Sequence, residues 1–256
     1  MIDIQNQPDD RNIDIMKVGV KDINYPVIVL DRAKGVQHTV ATVNMYVSLP
    51  HHFKGTHMSR FIEVLNRYHG SISPKTFLDI LDELRQSLEA KSANVEMTFP
   101  YFVEKSAPVS GSQSLMEYKC SYIGEVNDNK RDFLVGIKVP INTLCPCSRE
   151  ISDRGAHNQR GIVTVKLKFD KFFWIEDVIK LIEESASCDV YALLKREDEK
   201  HLTEHAYDHP MFVEDVVREV TLRLSRDKNF TWFSVEAENF ESIHNHSAYA
   251  FVESPR

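Results

Sequence analysis

The sequence predicts an α+β protein made of two tandem ββααββ modules with antiparallel sheets. Period-two alternation marks strands with one buried face, as in Val43, Met45, Val47 and Leu49 set against Thr42, Asn44, Tyr46 and Ser48. Apolar residues three and four apart mark amphipathic helices, as in Val213, Val216, Val217, Val220 and Leu224. These marks recur in the same order twice along 256 residues, a length that admits one large domain or two smaller ones.

In the first module, residues 23–128, an apolar stretch from Tyr25 to Leu30 precedes the strand at 42–49. Phe61, Ile62, Val64 and Leu65 carry a helix over Ser59 to Tyr68. Ser73 and Pro74 read as the N-cap and first residue of a second helix that buries Phe77, Leu78, Ile80, Leu81, Leu84 and Leu88. Val95, Met97 and Phe99 alternate with Glu96 and Thr98 as a strand, and Leu115 to Val126 returns beside it.

The second module, residues 129–256, repeats that order after a join near Asn127 to Lys130. Phe133 to Ile141 is a strand, and Val163, Val165, Leu167 and Phe169 form the next. Ile175, Val178, Ile179 and Ile182 mark a helix, and another begins near Pro210. Strands at Thr231 to Ala237 and Ser247 to Val252 close the module. Residues 1–22 are polar and acidic, contain Pro8-Asp9-Asp10, and are expected to form a flexible N-terminal arm rather than a signal peptide or anchor.

A formal charge of -7 without a basic block argues against nucleic acid or an anionic membrane as partner. No apolar run reaches the ~20 residues of a membrane span. Cys120, Cys145, Cys147 and Cys188 are too few and too irregularly spaced for a disulfide framework, so reduced thiols in a cytoplasm are expected.

The chemistry concentrates in a few segments. Cys145 and Cys147 flank Pro146, and in an extended segment both sulfurs would face one side, either as metal ligands or as small buried apolar groups. His157 sits in a polar loop containing Gly155, close in sequence to that pair. His244 and His246 stand two apart with Glu241 upstream, a set suited to proton transfer or metal ligation. Glu199 lies within Lys195 to Lys200, which by composition is a solvated charged loop, and Glu214 opens a helix where a carboxylate favours the dipole. Lys54, His57, Ser59 and Arg60 cluster where a loop enters a helix, an arrangement that suits phosphate.

Several of these segments together resemble one family. Leu144-Cys145-Pro146-Cys147-Ser148, Gly155-Ala156-His157-Asn158-Gln159-Arg160, Gly55-Thr56-His57-Met58-Ser59-Arg60, Ala107-Pro108-Val109-Ser110-Gly111 and Glu241-Ser242-Ile243-His244-Asn245-His246-Ser247 are similar to the type IB family of GTP cyclohydrolase I, over about Val18 to Val252. The resemblance implies the tunnelling fold, whose modules assemble into barrels in a homotetramer with active sites at subunit interfaces. It implies conversion of GTP and water to 7,8-dihydroneopterin triphosphate and formate, the first step of folate and pterin biosynthesis.

The resemblance also assigns roles. Cys145, His157 and Glu199 would hold one divalent transition metal, zinc, manganese or iron(II), with Cys147 as the weaker sulfur candidate. Glu214 would bind the guanine base, and Lys54, His57, Ser59 and Arg60 the triphosphate. His244 and His246 would handle protons, with Glu241 orienting them or approaching the metal. Two alternatives stand beside this reading: a nitrile reductase of the same fold with Cys145 or Cys147 as nucleophile, and a non-catalytic metal or purine-nucleotide binder.

Overall fold

The computed structural model describes residue 5, residues 7–70 and residues 72–255, with side chains up to residue 253. In chain order the elements are β1 (Ile15–Asp31), β2 (Gly35–Leu49), α1 (Met58–Arg67), α2 (Phe77–Ser87), β3 (Ser92–Ser106), β4 (Gln113–Asn127), β5 (Lys130–Leu144), α3 (Pro146–Ile151), β6 (Asn158–Phe169), α4 (Ile175–Glu183), β7 (Cys188–Asp189), α5 (Arg196–Asp208), α6 (Val213–Arg226), β8 (Phe230–Phe240) and β9 (Ser247–Pro255). The strand, strand, helix, helix, strand, strand order occurs twice, the second time with α3, β7 and α5 inserted.

The chain forms two compact units that do not divide at residue 128. One holds the residues up to Pro100 with Ser121–Val135, the other Tyr101–Cys120 with Gly136–Arg256. Strands β3, β4 and β5 each have 15 residues, roughly 50 Å of extended chain, so each contributes its two ends to different units.

In the first unit the strands run in the order β1-β2-β3-β4-β5. Antiparallel pairing sets Met45 opposite Val95 and Val43 opposite Met97, so the alternating apolar residues fall on one face. Val43, Met45, Val95, Met97 and Phe99 have no exposed surface, and Phe61, Val64, Phe77, Ile80, Leu81 and Leu84 of α1 and α2 are equally closed. Gly124 lets α2 lie close on β4: a Cβ there would meet Phe77 Cε1 at 2.9 Å and Leu81 Cδ1 at 3.0 Å.

Two expectations change here. Helix α2 begins at Phe77 with Thr76 as N-cap, not at Ser73 and Pro74, because hydrogen bonds between Ser73 and Thr76 close a separate turn first. Residues 15–22, expected in a flexible arm, are the first half of β1, paired with β2 through two register shifts; residues 1–4 and 6 lie outside the described residues.

In the second unit the order is β3-β4-β5-β6-β8-β9, with β7 pairing β5. Val163, Val165 and Leu167 of β6 and Val235 and Ala237 of β8 face Val216, Val217, Val220 and Leu224 of α6 within the buried core. Each such aliphatic side chain contributes about 1.5–3 kcal/mol on burial. A buried polar knot ties the C-terminal end of α4 to β3, β4 and β7. Lys105 Nζ lies 2.7 Å from Glu183 Oε1 and 3.0 Å from Asp189 Oδ2, and Tyr118 donates to Glu183 Oε1 at 2.6 Å. Burial pushes the Glu183 carboxyl up, and Lys105 opposes that shift. No helix among the described residues is long and apolar enough to cross a membrane.

Candidate active site

All the candidate chemistry except the basic cluster belongs to the second unit. The segment after β5 is not extended. Cys145 is the N-cap of α3 in extended conformation, and Pro146, with its fixed φ, starts the helix. The two sulfurs therefore part company: Cys147 is exposed on α3, whereas Cys145 is half-buried and its Sγ accepts from Ser148 N at 3.5 Å.

Cys145 and His157 are fastened to each other through backbone. Cys145 N donates to His157 O at 3.1 Å. The Ser148 hydroxyl accepts from His157 N at 3.2 Å and donates to Cys145 O at 3.2 Å, so one side chain closes the loop between them. Nδ1 of His157 lies 3.0 Å from Gln159 Oε1 and 3.4 Å from Ser242 Oγ. Gln159 is itself buried and donates from Nε2 to Thr143 Oγ1 at 3.0 Å.

The Ser242 contact brings the 241–246 segment to His157. In that segment the rings of His244 and His246 are 5.1 Å apart between centroids and tilted by 34°, so the two imidazoles lie side by side as their spacing predicts. His244 Nδ1 stands 3.8 Å from Glu241 Oε2. Both rings are exposed and Glu241 is half-buried.

Glu199 is not in a loop. It occupies the first turn of α5, with its backbone N donating to Lys195 O at 3.0 Å and its side chain exposed. The neighbouring Asp198, which sequence reasoning passed over, is fully buried. Its carboxylate accepts from Lys195 N at 2.8 Å, Val109 N at 2.9 Å, Ser110 N at 2.8 Å and Ser110 Oγ at 2.7 Å. Burial alone would raise its pKa, but the donors of Ser110, Lys195 and Val109 prevail and hold it well below the usual carboxylate range. The Ala107 to Gly111 segment is thus the strap that fixes the start of α5.

The inner side of α5 completes the framework. Ala206 joins Leu144 and Cys188 in a small apolar cluster against which Ala156 and Leu202 pack. Leu144 precedes Cys145 and Ala156 precedes His157, so the cluster sets α5 beside the backbone of those two candidate donors. Burial pushes the Cys188 thiol up to about 11, which keeps it a neutral packing group. Nearby, Asn142, Asn158, Arg160, Asp189, Tyr191 and Thr203 line a cavity of about 240 Å³.

Glu214 stands in the first turn of α6, exposed, and no described residue bonds its carboxylate. The cap belongs to Asp215, which accepts from Phe212 N at 3.1 Å. Met211 N donates to Leu144 O at 3.0 Å, so the start of α6 is tied to the residue before Cys145.

The basic cluster, in the first unit, is not gathered round one opening. His57 is the N-cap of α1 and Ser59 is in its first turn. Arg60 Nη1 donates to Ser87 O at 2.8 Å at the end of α2. His57 and Arg60 line one small cavity, while Lys54 lines another with Asp9, Arg11 and His51.

Sulfur, imidazole nitrogen and carboxylate oxygen are a donor set that suits a divalent transition ion. Two of the three donors are preset by backbone bonds and the third is carried on a separate helix. Among the described residues no three His, Cys, Asp or Glu side chains form a ready cluster.

Known proteins extend this description. The family described as GCHY-1, type I GTP cyclohydrolase folE2, matches residues 1–250. The GTP cyclohydrolase FolE2 of Syntrophus aciditrophicus is 65% identical over 253 residues, 99% of each chain. That of Syntrophotalea carbinolica is 61% identical over 255 residues, 100% of this chain and 96% of its own. Among solved structures, uricase from Arthrobacter globiformis superposes with a TM-score of 0.55 at 7% identity, covering 94% of this chain and 93% of that one. A highly active mutant of Bacillus sp. TB-90 urate oxidase gives 0.56 at 10% identity, covering 94% and 100%. At that identity the likeness is one of fold, and it bears out the α+β class with an antiparallel sheet.

Proposed function

From the premise that this chain belongs to the type I GTP cyclohydrolase family FolE2 and is a GTP cyclohydrolase, we propose the type IB chemistry, in which Cys145, His157 and Glu199 hold one divalent ion and His244 and His246 move protons. Membership of this family sets aside both the nitrile reductase and the non-catalytic binder.

The reaction takes GTP and water to 7,8-dihydroneopterin triphosphate and formate. Water adds at guanine C8 and opens the ring, a second water releases C8 as formate, and the ribose rearranges to a C2′ ketone that condenses with the freed N7 amine and returns one water. A bound divalent ion supplies a water acidic enough to attack at neutral pH. The chain's own residues do the rest. Glu214 would accept hydrogen bonds from the guanine N1–H and 2-amino group, which would fix the base. Each C–N cleavage needs a proton delivered to nitrogen and another taken from oxygen, and the neighbouring imidazoles of His244 and His246 can each donate or accept one. Glu241 orients His244.

One observation carries this reading: Ser242 lies against His157, so the proton-transfer segment and the Cys145–His157 pair meet in one place. Lys54, His57, Ser59 and Arg60 are proposed for the triphosphate. A homotetramer with shared sites is proposed as well, supported by the exposed apolar side chains of Ile243, Tyr249 and Phe251 at and beside the edge strand β9. A cytoplasmic location fits four cysteines without a disulfide.

The test is turnover of GTP by the chelator-treated protein after addition of Mn, Zn or Fe(II). A pterin that becomes fluorescent on oxidation is expected with at least one ion. Absence of product with all three overturns the proposal.

A further inference from the structure

The geometry points to Gln159 as the residue that decides which nitrogen of His157 carries the proton. A buried amide that leaves a donor or acceptor unmet is destabilising, so the partners of a buried glutamine are informative. Gln159 is 6% exposed on β6, and its two ends are both engaged. Nε2 faces Thr143 Oγ1 on the adjoining strand β5, a side chain with no exposed surface. Oε1 faces His157 Nδ1 at 3.0 Å.

A carbonyl oxygen accepts only. With Oε1 toward the ring, Nδ1 must be the protonated nitrogen, and Nε2 keeps its lone pair on the far side of the imidazole. Ring placement is fixed as well as protonation, because His157 N and O are both held, by Ser148 Oγ and by Cys145 N. Ser242 Oγ, at 3.4 Å from the same Nδ1, is the longer contact and acts as a second acceptor. Thr143 and Gln159 thus form a two-step relay from the interior of the sheet to the imidazole, and Gln159 is a positioning residue for Nε2.

The alternative is a buried glutamine that only satisfies its hydrogen bonds. The two differ in what substitution does: a filler role is lost equally with any replacement, whereas a positioning role survives when an acceptor oxygen is kept. The inference rests on the proposed function only for its consequence, that the bare Nε2 is offered to an ion; the tautomer itself is a property of the metal-free chain.

Long-range proton–nitrogen NMR correlation of the histidine rings in full-length, metal-free protein reads the tautomer directly, at a pH where imidazole is neutral. His157 is assigned by its absence in His157→Asn. The expected spectrum has Nδ1 protonated and Nε2 bare in the parent and in Ser242→Ala, and a shift toward the Nε2-protonated form in Gln159→Met. Calorimetric titration with Zn or Mn is expected to give roughly 10–100-fold weaker binding in Gln159→Met and no weakening in Gln159→Glu, which keeps the acceptor. A parent spectrum with Nε2 protonated would mean that the amide points the other way and overturns the inference without needing any variant. Equal loss of affinity in the Met and Glu variants overturns it too. Neither result depends on GTP turnover, so the function can fail while the tautomer stands, and the reverse.

Discussion

Ser242 Oγ lies 3.4 Å from Nδ1 of His157, although 85 residues separate them in the chain. That contact joins the segment bearing Glu241, His244 and His246 to the backbone-tied pair Cys145 and His157, and it brings candidate proton-transfer groups toward candidate metal donors.

The two cysteines should behave differently. Cys145, half-buried at the N-cap and bonded to His157 through backbone, is the proposed sulfur donor, and Cys147 is exposed on α3. Cys145→Ser should weaken binding of Zn by roughly 100-fold or more, with Cys147→Ser within about threefold of the parent, as read by competition with a chelating dye.

Glu214 is exposed in the first turn of α6, has no partner among the described residues and is proposed to bind the guanine base. Glu214→Gln keeps the shape and loses the charge and one acceptor. The expected result is a fall in kcat/KM for GTP of roughly 100-fold, from two charge-assisted hydrogen bonds weakened, with the melting temperature unchanged.

The buried Lys105–Glu183 pair should be costly to break. Lys105→Met leaves Glu183 buried without its cation, and a loss of about 3–5 kcal/mol in urea unfolding is expected. Glu183→Gln added to it should restore part of that stability. The folded-state pKa of Glu183 is raised, so below the unfolded value of about 4.3 its protonation does not disfavour folding. As pH rises from there through the folded value, the buried group must ionise and stability is lost. That loss should be larger in Lys105→Met than in the parent.

Asp198 titrates with the opposite sign. Its pKa is lowered in the fold, so its stabilisation is present above the unfolded value of about 3.9 and disappears as pH falls through the folded one. Asp198→Asn should lower the melting temperature at neutral pH and narrow the gap to the parent on acidification. It should also reduce kcat, because α5 and Glu199 lose their tie to Ser110.

Gly124→Ala places a methyl group 2.9 Å from Phe77 and 3.0 Å from Leu81. A loss of about 1–3 kcal/mol from overpacking is expected in equilibrium unfolding, with GTP turnover per folded molecule unaffected.

Much of the fold was readable because it rests on short-range periodicity. Val43 to Leu49 in β2 and Val213 to Leu224 in α6 alternate or recur so plainly that the buried sets match those read from sequence. Helix α5 escaped because its buried residues are only Asp198 and Ala206, with charge and histidine elsewhere, and α3 because six residues carry no period. Candidate site residues were nameable where residue type speaks for itself, as with Cys145, His157, His244 and His246. Ser148, Gln159 and Asp198 were not, because their roles come from bonds to residues brought near by folding: Ser148 to His157, Gln159 to Thr143, and Asp198 to Ser110, 88 positions away.

We propose that one ion held by Cys145, His157 and Glu199 opens the guanine ring. Mn or Zn titrated into metal-free protein, with formate release from GTP measured in the same sample, should raise formate in proportion to bound ion up to one per chain, and both should vanish together in Cys145→Ser, His157→Asn and Glu199→Gln. Formate released at the parent rate by metal-free protein, or by those variants without bound ion, would contradict it.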